Sequence, residues 1–329
     1  MSQEAYTCIE QLDLASRQLE ERSASYGRFA LILVDNVVEL IIHRVCAHET
    51  MYDDIWVKLG KPRLTPTQRS DVAGRRFDRK VKFCRSAEKL TSDQTDAILI
   101  CHKYRNELYH SGLKYDDIVW DLSWYYYGVA TDLLAEVYPE RSWYSGAHVT
   151  AAVEKHAGKG GQNVLSGMAD IAKSLESSRP ERHRALPEAL SASAQFRLQE
   201  TEDSLEFLVK NDPQSRSEEI AIHELQFYDY IRSHEPLIKQ IWDKVKTPKQ
   251  QRAAMQFVRE IWTPKYKTSP LPAFARSAKE ISQHKTDLDS LRAFERFQYD
   301  FAYFSRIVED AAIALDMYIQ EQIDIRRGK

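Results

Sequence analysis

A chain of 329 residues, 43% hydrophobic and 29% charged, is long enough to bury a full core and too apolar for a disordered polymer. Its net charge of -3 gives no overall basic excess, so any contact with a phosphate backbone has to come from a local cluster. No apolar stretch reaches the roughly 18 residues that cross a bilayer, and the opening MSQEAYTCIEQLD lacks the basic and apolar parts of a secretion signal. A cytoplasmic protein without a membrane span is expected.

Apolar residues recur at helical spacing, as in Phe29, Ile32, Leu33, Val37, Leu40, Ile41 and Val45, and hairpin signals are scarce, so the spacing predicts an all-α chain. A first helix is expected over about 3–22 and a second from near Ser25 to Leu59, stopped by Gly60 and Pro62. Thr65 to Thr67 opens a basic helix through about Leu90. Thr91 or Ser92 caps the next, which should carry Ile98, Leu99, Tyr104 and Leu108 inward and end at Ser111-Gly112. A helix rich in aromatics follows from Asp116 or Asp117 to Tyr138.

Residues 139–167 are rich in Gly, Ser and His and read as a loop or joint. The expected organisation is therefore a helical bundle over 1–140, a joint over 141–167 and a second helical region over 168–329. In that region helices are readable near 187–210, 216–246, 249–262 and 285–325, punctuated by prolines. Its aromatic cluster, Phe294, Phe297, Tyr299, Phe301, Tyr303 and Phe304, reads as packing.

Cys8, Cys46, Cys84 and Cys101 form no CxxC pair and read as scattered reduced thiols. His43, Cys46 and His48 have partial zinc spacing but lack a second ligand pair, so neither a metal nor another cofactor is expected.

The chemistry concentrates in Arg105-Asn106-Glu107-Leu108-Tyr109-His110. Arg105 carries a permanent cation and a fork of donors suited to phosphate oxygens. His110 can exchange a proton near neutral pH, and its place by the helix end, next to unpaired carbonyls, favours the protonated ring. Asn106 and His110 are an i, i+4 pair on one face, so Asn106 is placed to orient its neighbours. A second Arg-to-His spacing, Arg141 to His148, contains Gly146 and reads as loop.

The stretch HKYRNELYHSG, preceded by a helix carrying RRFDRKVKFC, resembles the signature of the HEPN superfamily: an Arg, then Asn, Asp or His, then a His shortly downstream. The resemblance covers roughly residues 25–138. It implies a four- or five-helix bundle that forms a homodimer with two motifs facing a shared cleft, and RNA cleavage without metal. In that chemistry the 2′-OH attacks the adjacent phosphate, leaving a 2′,3′-cyclic phosphate and a 5′-OH. By position, His110 would transfer protons, Arg105 would stabilise the phosphorane and Asn106 would orient them. The resemblance also implies a toxin or phage-defence effector, with an antitoxin or defence-system protein as partner. Other members only bind RNA or proteins.

Both readings remain open at this level, because Arg105 and His110 also suit an ion-pairing Arg and a helix-capping His in a silent helical module. The basic residues Arg75, Arg76, Arg79 and Lys82, with Tyr109, are candidates to bind an RNA substrate, although a charged run also makes a solvated face. Trp120, Trp124 and Tyr127, at helical spacing, are the candidate dimer seam.

Overall fold

In the computed structural model the chain is all-α, and the described residues are 3–111, 115–138, 149–158, 167–212, 214, 216–243, 245 and 247–327. They divide into two compact units, residues 1–189 with 286–291, and residues 190–285 with 292–329.

The first unit is built on α1 (Gln3–Glu20), α2 (Ala24–Lys58), α3 (Pro66–Ala73), α4 (Phe77–Ser86), α5 (Ser92–Ser111), α6 (Val119–Glu136), α7 (Ala151–Ala157) and α8 (Met168–Ser177). Its axis is α2, which packs against α1, α4, α5 and α6. Ala30, Leu31, Val34, Val37, Val38, Ile41, Ile42 and Val45 recur at spacings of one, three and four residues and are all buried. Each large aliphatic so buried contributes roughly 1.5–3 kcal/mol. Near the start of α2, Gly27 lets the backbone of α6 come close, since a Cβ there would stand 2.9 Å from Trp120 Cα. The helix stops where Gly60 takes the left-handed conformation, φ +71°, and donates to Val57 O.

The basic segment differs from its expected single helix. Gly74 is extended, with ψ 170°, and its N–H makes the last bond of α3 to Ser70 O, so α3 and α4 are separate. Thr65 and Gln68 form a capping box at α3, and Thr91 and Gln94 exchange the same pair of bonds at α5. The first unit also extends beyond the expected joint. Met168, Ile171, Ala172 and Leu175 form a buried stripe on α8, which packs on α6, while α7 packs on α1. Both helices are short, and the Gly-rich flanks conceal them in the sequence.

The second unit holds most of α9 (Leu186–Lys210), then α10 (Glu218–Ser233), α11 (Glu235–Trp242), α12 (Pro248–Ile261), α13 (Leu271–Glu280) and most of α14 (Asp287–Arg326). The helix expected over 216–246 is two, because Pro236 has no N–H to continue α10 and instead occupies the first turn of α11. Pro270 and Pro272 likewise start α13 rather than merely punctuate a loop. Phe227, Ile238 and Val258 form one core cluster. Phe274 packs against Phe297, Phe301 and Phe304 in another, whereas Tyr299 is exposed. No helix among the described residues is long and apolar enough to cross a membrane.

Candidate functional site

The capping box at Thr91 starts α5, and Ala97, Ile98, Cys101 and Tyr104 hold its inner face in the core. That brings the adjoining edge of the helix, with His102 and Arg105, against α2. Asp35 is fully buried on α2 and sits at the centre of the contact. It accepts a hydrogen bond from Tyr126 Oη of α6 at 3.1 Å and faces His102 Nδ1 at 3.0 Å. Arg105 Nε lies 3.2 Å from Asp35 Oδ2, an ion pair without the alignment of a hydrogen bond. One turn further along α2, Glu39 is 3.6 Å both from His102 Nδ1 and from Arg105 Nη2.

Arg105 closes the arrangement by donating from Nη1 to Asn106 Oδ1 at 2.9 Å. The guanidinium is thus gripped on three sides, and 27% of the side chain remains exposed. Of the five N–H groups of the guanidinium, one makes an aligned hydrogen bond, to Asn106, and the two carboxylates hold its charge by ion pairing. Burial, followed by the charge of Asp35, pushes the Glu39 carboxyl above the usual range, although Arg105 and His102 pull the other way.

Asp35, Glu39 and His102 present donor atoms within 4.8 Å of one another, a set that divalent metals accept. The cationic place beside these carboxylates is, however, already filled by Arg105, and an ion there would have to displace the guanidinium. His43, Cys46 and His48 do not gather as ligands: His43 Nδ1 lies 2.8 Å from Lys80 Nζ, and Cys46 Sγ is 3.8 Å from Cys84 Sγ. The four cysteines are buried and none is in a disulfide, and two that are remote in sequence, Cys46 and Cys84, are neighbours in space.

The other sequence candidates fall in three groups. Tyr109 and His110 stand in the last turn of α5, and their side chains lie outside the described residues, as do Gly112 and the spacing Arg141 to His148. In the basic segment Arg75, Arg76, Arg79 and Lys82 are all exposed, and Arg76 pairs with Asp78 at 2.9 Å and Arg79 with Asp71 at 3.0 Å. The third group, the aromatic stripe, is already occupied within its own unit and is no open seam. Trp120 is buried and donates to Leu19 O, Tyr127 is buried and donates to Leu175 O, and Trp124 donates to Pro180 O beneath the guanidinium of Arg179.

A second polar row joins Ser174, His156 and Asp13. His156 Nδ1 is 2.9 Å from Ser174 Oγ and its Nε2 is 3.0 Å from Asp13 Oδ1. This is the residue order of a proton relay, but the imidazole is fully buried and Asp13 also takes Lys155 at 2.8 Å and Arg17 at 2.9 Å. The row therefore acts as a clamp that ties α7 and α8 to α1. No family model matches the chain, and neither a curated protein nor a solved structure does.

Proposed function

We propose that the first unit is a metal-independent endoribonuclease of the HEPN type, working as a homodimer, with Arg105, Asn106 and His110 as its reactive set. The observation that carries this reading is the grip on Arg105: a buried carboxylate behind it, Asn106 beside it at 2.9 Å, and a partly exposed guanidinium. An anion-binding cation held before substrate arrives loses little entropy on binding and needs no reorganisation as charge develops. In the proposed reaction the RNA 2′-oxygen attacks phosphorus, Arg105 stabilises the charged phosphorane, and His110 protonates the departing 5′-oxygen. Tyr109, Arg75 and Lys82 are the proposed substrate contacts, with Arg76 and Arg79 weaker because carboxylates already pair with them. The role of a toxin or phage-defence effector, and a partner protein that restrains it, rests on the resemblance of the motif.

A second reading, a silent helical module that binds RNA or protein, is favoured by one specific feature. Arg105 has two carboxylates within ion-pair distance, so its charge is already satisfied inside the protein. Cleavage of total RNA in EDTA separates the two, comparing the native chain with Arg105→Ala and His110→Ala at matched helicity and oligomeric state. The nuclease reading expects cyclic-phosphate ends from the native protein and losses of about 10²-fold or more in each variant. Equal inertness of all three proteins, with cell extract added, establishes the module instead.

A further inference from the structure

His102 is absent from the motif, yet it is better placed for proton transfer than its position in the sequence suggests. On α5 it stands one turn before Arg105, and at about 100° per residue the positions 102, 105, 106, 109 and 110 fall within an arc of about 140°. Nδ1 of its ring lies 3.0 Å from one oxygen of the fully buried Asp35 and 3.2 Å from the other. A carboxylate in that place fixes the neutral imidazole with its proton on Nδ1 and leaves Nε2 as the basic nitrogen. Among the described residues, every polar contact of the ring runs through Nδ1. Phe77 of α4 packs on the ring with centroids 4.4 Å apart, and 18% of the side chain remains exposed.

We infer that His102 is the general base of the reaction proposed above, oriented by Asp35, with His110 as the acid. The inference rests on the nuclease reading. Nε2 of His102 takes the proton from the ribose 2′-OH, and the 2′-oxygen forms its bond to phosphorus. The bond from phosphorus to the 5′-oxygen breaks with both electrons on that oxygen, which receives the proton of the His110 imidazolium. One proton enters the protein and one leaves, and the products are a 2′,3′-cyclic phosphate and a 5′-OH.

The spacing suits this division of labour. Eight residues place the two histidines about 12 Å apart along the helix, with Arg105 between them. The groups facing the ring are Asp35 and Glu39 from α2, with Arg105 of α5 ion-paired to both carboxylates and Tyr126 of α6 bonded to Asp35.

The test uses full-length protein carrying His102→Asn, whose amide can still donate to Asp35 but has no basic nitrogen. His102→Gln serves as a second variant, and circular dichroism checks that both keep native helicity. Both should lose about 10²- to 10⁴-fold in kcat, and the acidic limb of the pH–rate profile should vanish while the alkaline limb stays. A substrate with sulfur in place of the bridging 5′-oxygen releases a thiolate that needs no acid. It should restore His110→Ala and leave both His102 variants slow. Rescue of the His102 variants by the sulfur substrate, or a lowered rate with both limbs intact, would overturn the assignment and leave the nuclease reading standing. An inert native chain, or undiminished cleavage by His110→Ala, would remove the nuclease reading itself and the base with it.

Discussion

Asp35→Ala tests whether the polar cluster is a built device or an accident of packing. The substitution removes a fully buried carboxylate that meets Tyr126 Oη at 3.1 Å, His102 Nδ1 at 3.0 Å and Arg105 Nε at 3.2 Å. Breaking a buried ion pair from one side costs about 3–5 kcal/mol, because the remaining charge is left without compensation. Glu39 stays 3.6 Å from Arg105 and solvent reaches part of the guanidinium, which puts the expected loss at the lower end, about 3 kcal/mol. For a unit of this size about 1 kcal/mol moves Tm by about 2–4 °C, so a fall of about 6–12 °C should be read by far-ultraviolet circular dichroism. In an Arg105→Ala background the same substitution should cost less by about 1 kcal/mol or more, since no orphaned cation remains. A loss below about 1 kcal/mol, or equal losses in both backgrounds, would refute the argument that Asp35 anchors Arg105.

Glu39→Gln removes a negative charge 3.6 Å from Arg105 and should tighten binding of single-stranded RNA at low salt, measured by fluorescence anisotropy in a His110→Ala background. Weaker binding would mean that Glu39 positions Arg105 more than it neutralises it. Arg75→Ala with Lys82→Ala should lower the salt slope of RNA binding by about 1.4, at about 0.7 per phosphate contact on single strands. Arg76→Ala with Arg79→Ala should lower it less, and the reverse order would exclude this surface arrangement. Stability should also fall on acidification. Burial depresses the pKa of His156, opposed in part by its bond to Asp13, so the unfolded chain takes up that proton first, near pH 6.5. The stabilisation is complete above that pH and is lost as the pH falls through it toward the lower folded value. His43, depressed by burial and by Lys80, acts in the same direction. Asp13 is raised by burial, but the bonds from Lys155 and His156 outweigh this and hold it low, adding a further loss only below about pH 3.8. Tm measured from pH 7.5 to 5 should therefore slope less in His156→Gln than in the native chain, and parallel slopes would contradict the clamp.

What the sequence reveals here is what local chemistry decides. The capping boxes at Thr65 and Thr91 and the stop at Gly60 each work through residues only a few positions apart, and the helices they bound are readable. The break at Gly74 is less legible, because an extended glycine and a helical one look alike in a basic run. The motif Arg105 to His110 is visible, but its support is not, since Asp35 stands 67 residues before His102. A signal did exist: Asp35 occupies a core position among Leu31, Val34, Val38 and Ile42, where a carboxylate is costly unless something pairs with it. Helical periodicity likewise marks Trp120 and Tyr127 as an apolar face without naming what covers it, and the cover is α1 and α8 of the same unit.

The carboxylates that hold Arg105 also weaken its attraction for a phosphate, and the two effects bear on different stages of a reaction. Two ionised carboxylates against one guanidinium leave the cluster with one negative charge while His102 is neutral, which disfavours approach of an anionic diester. Burial and the charge of Asp35 raise the pKa of Glu39, against the pull of Arg105 and His102. In the proposed phosphorane additional negative charge would gather on the nonbridging oxygens, where a guanidinium already held by Asp35, Glu39 and Asn106 needs little rearrangement. An interaction stronger in the transition state than in the ground state accelerates the chemical step, whereas equal binding of both does not. A cation compensated in the resting protein and fixed in direction has that differential character. The kinetic signature of Arg105 in the proposed enzyme therefore lies in kcat more than in KM.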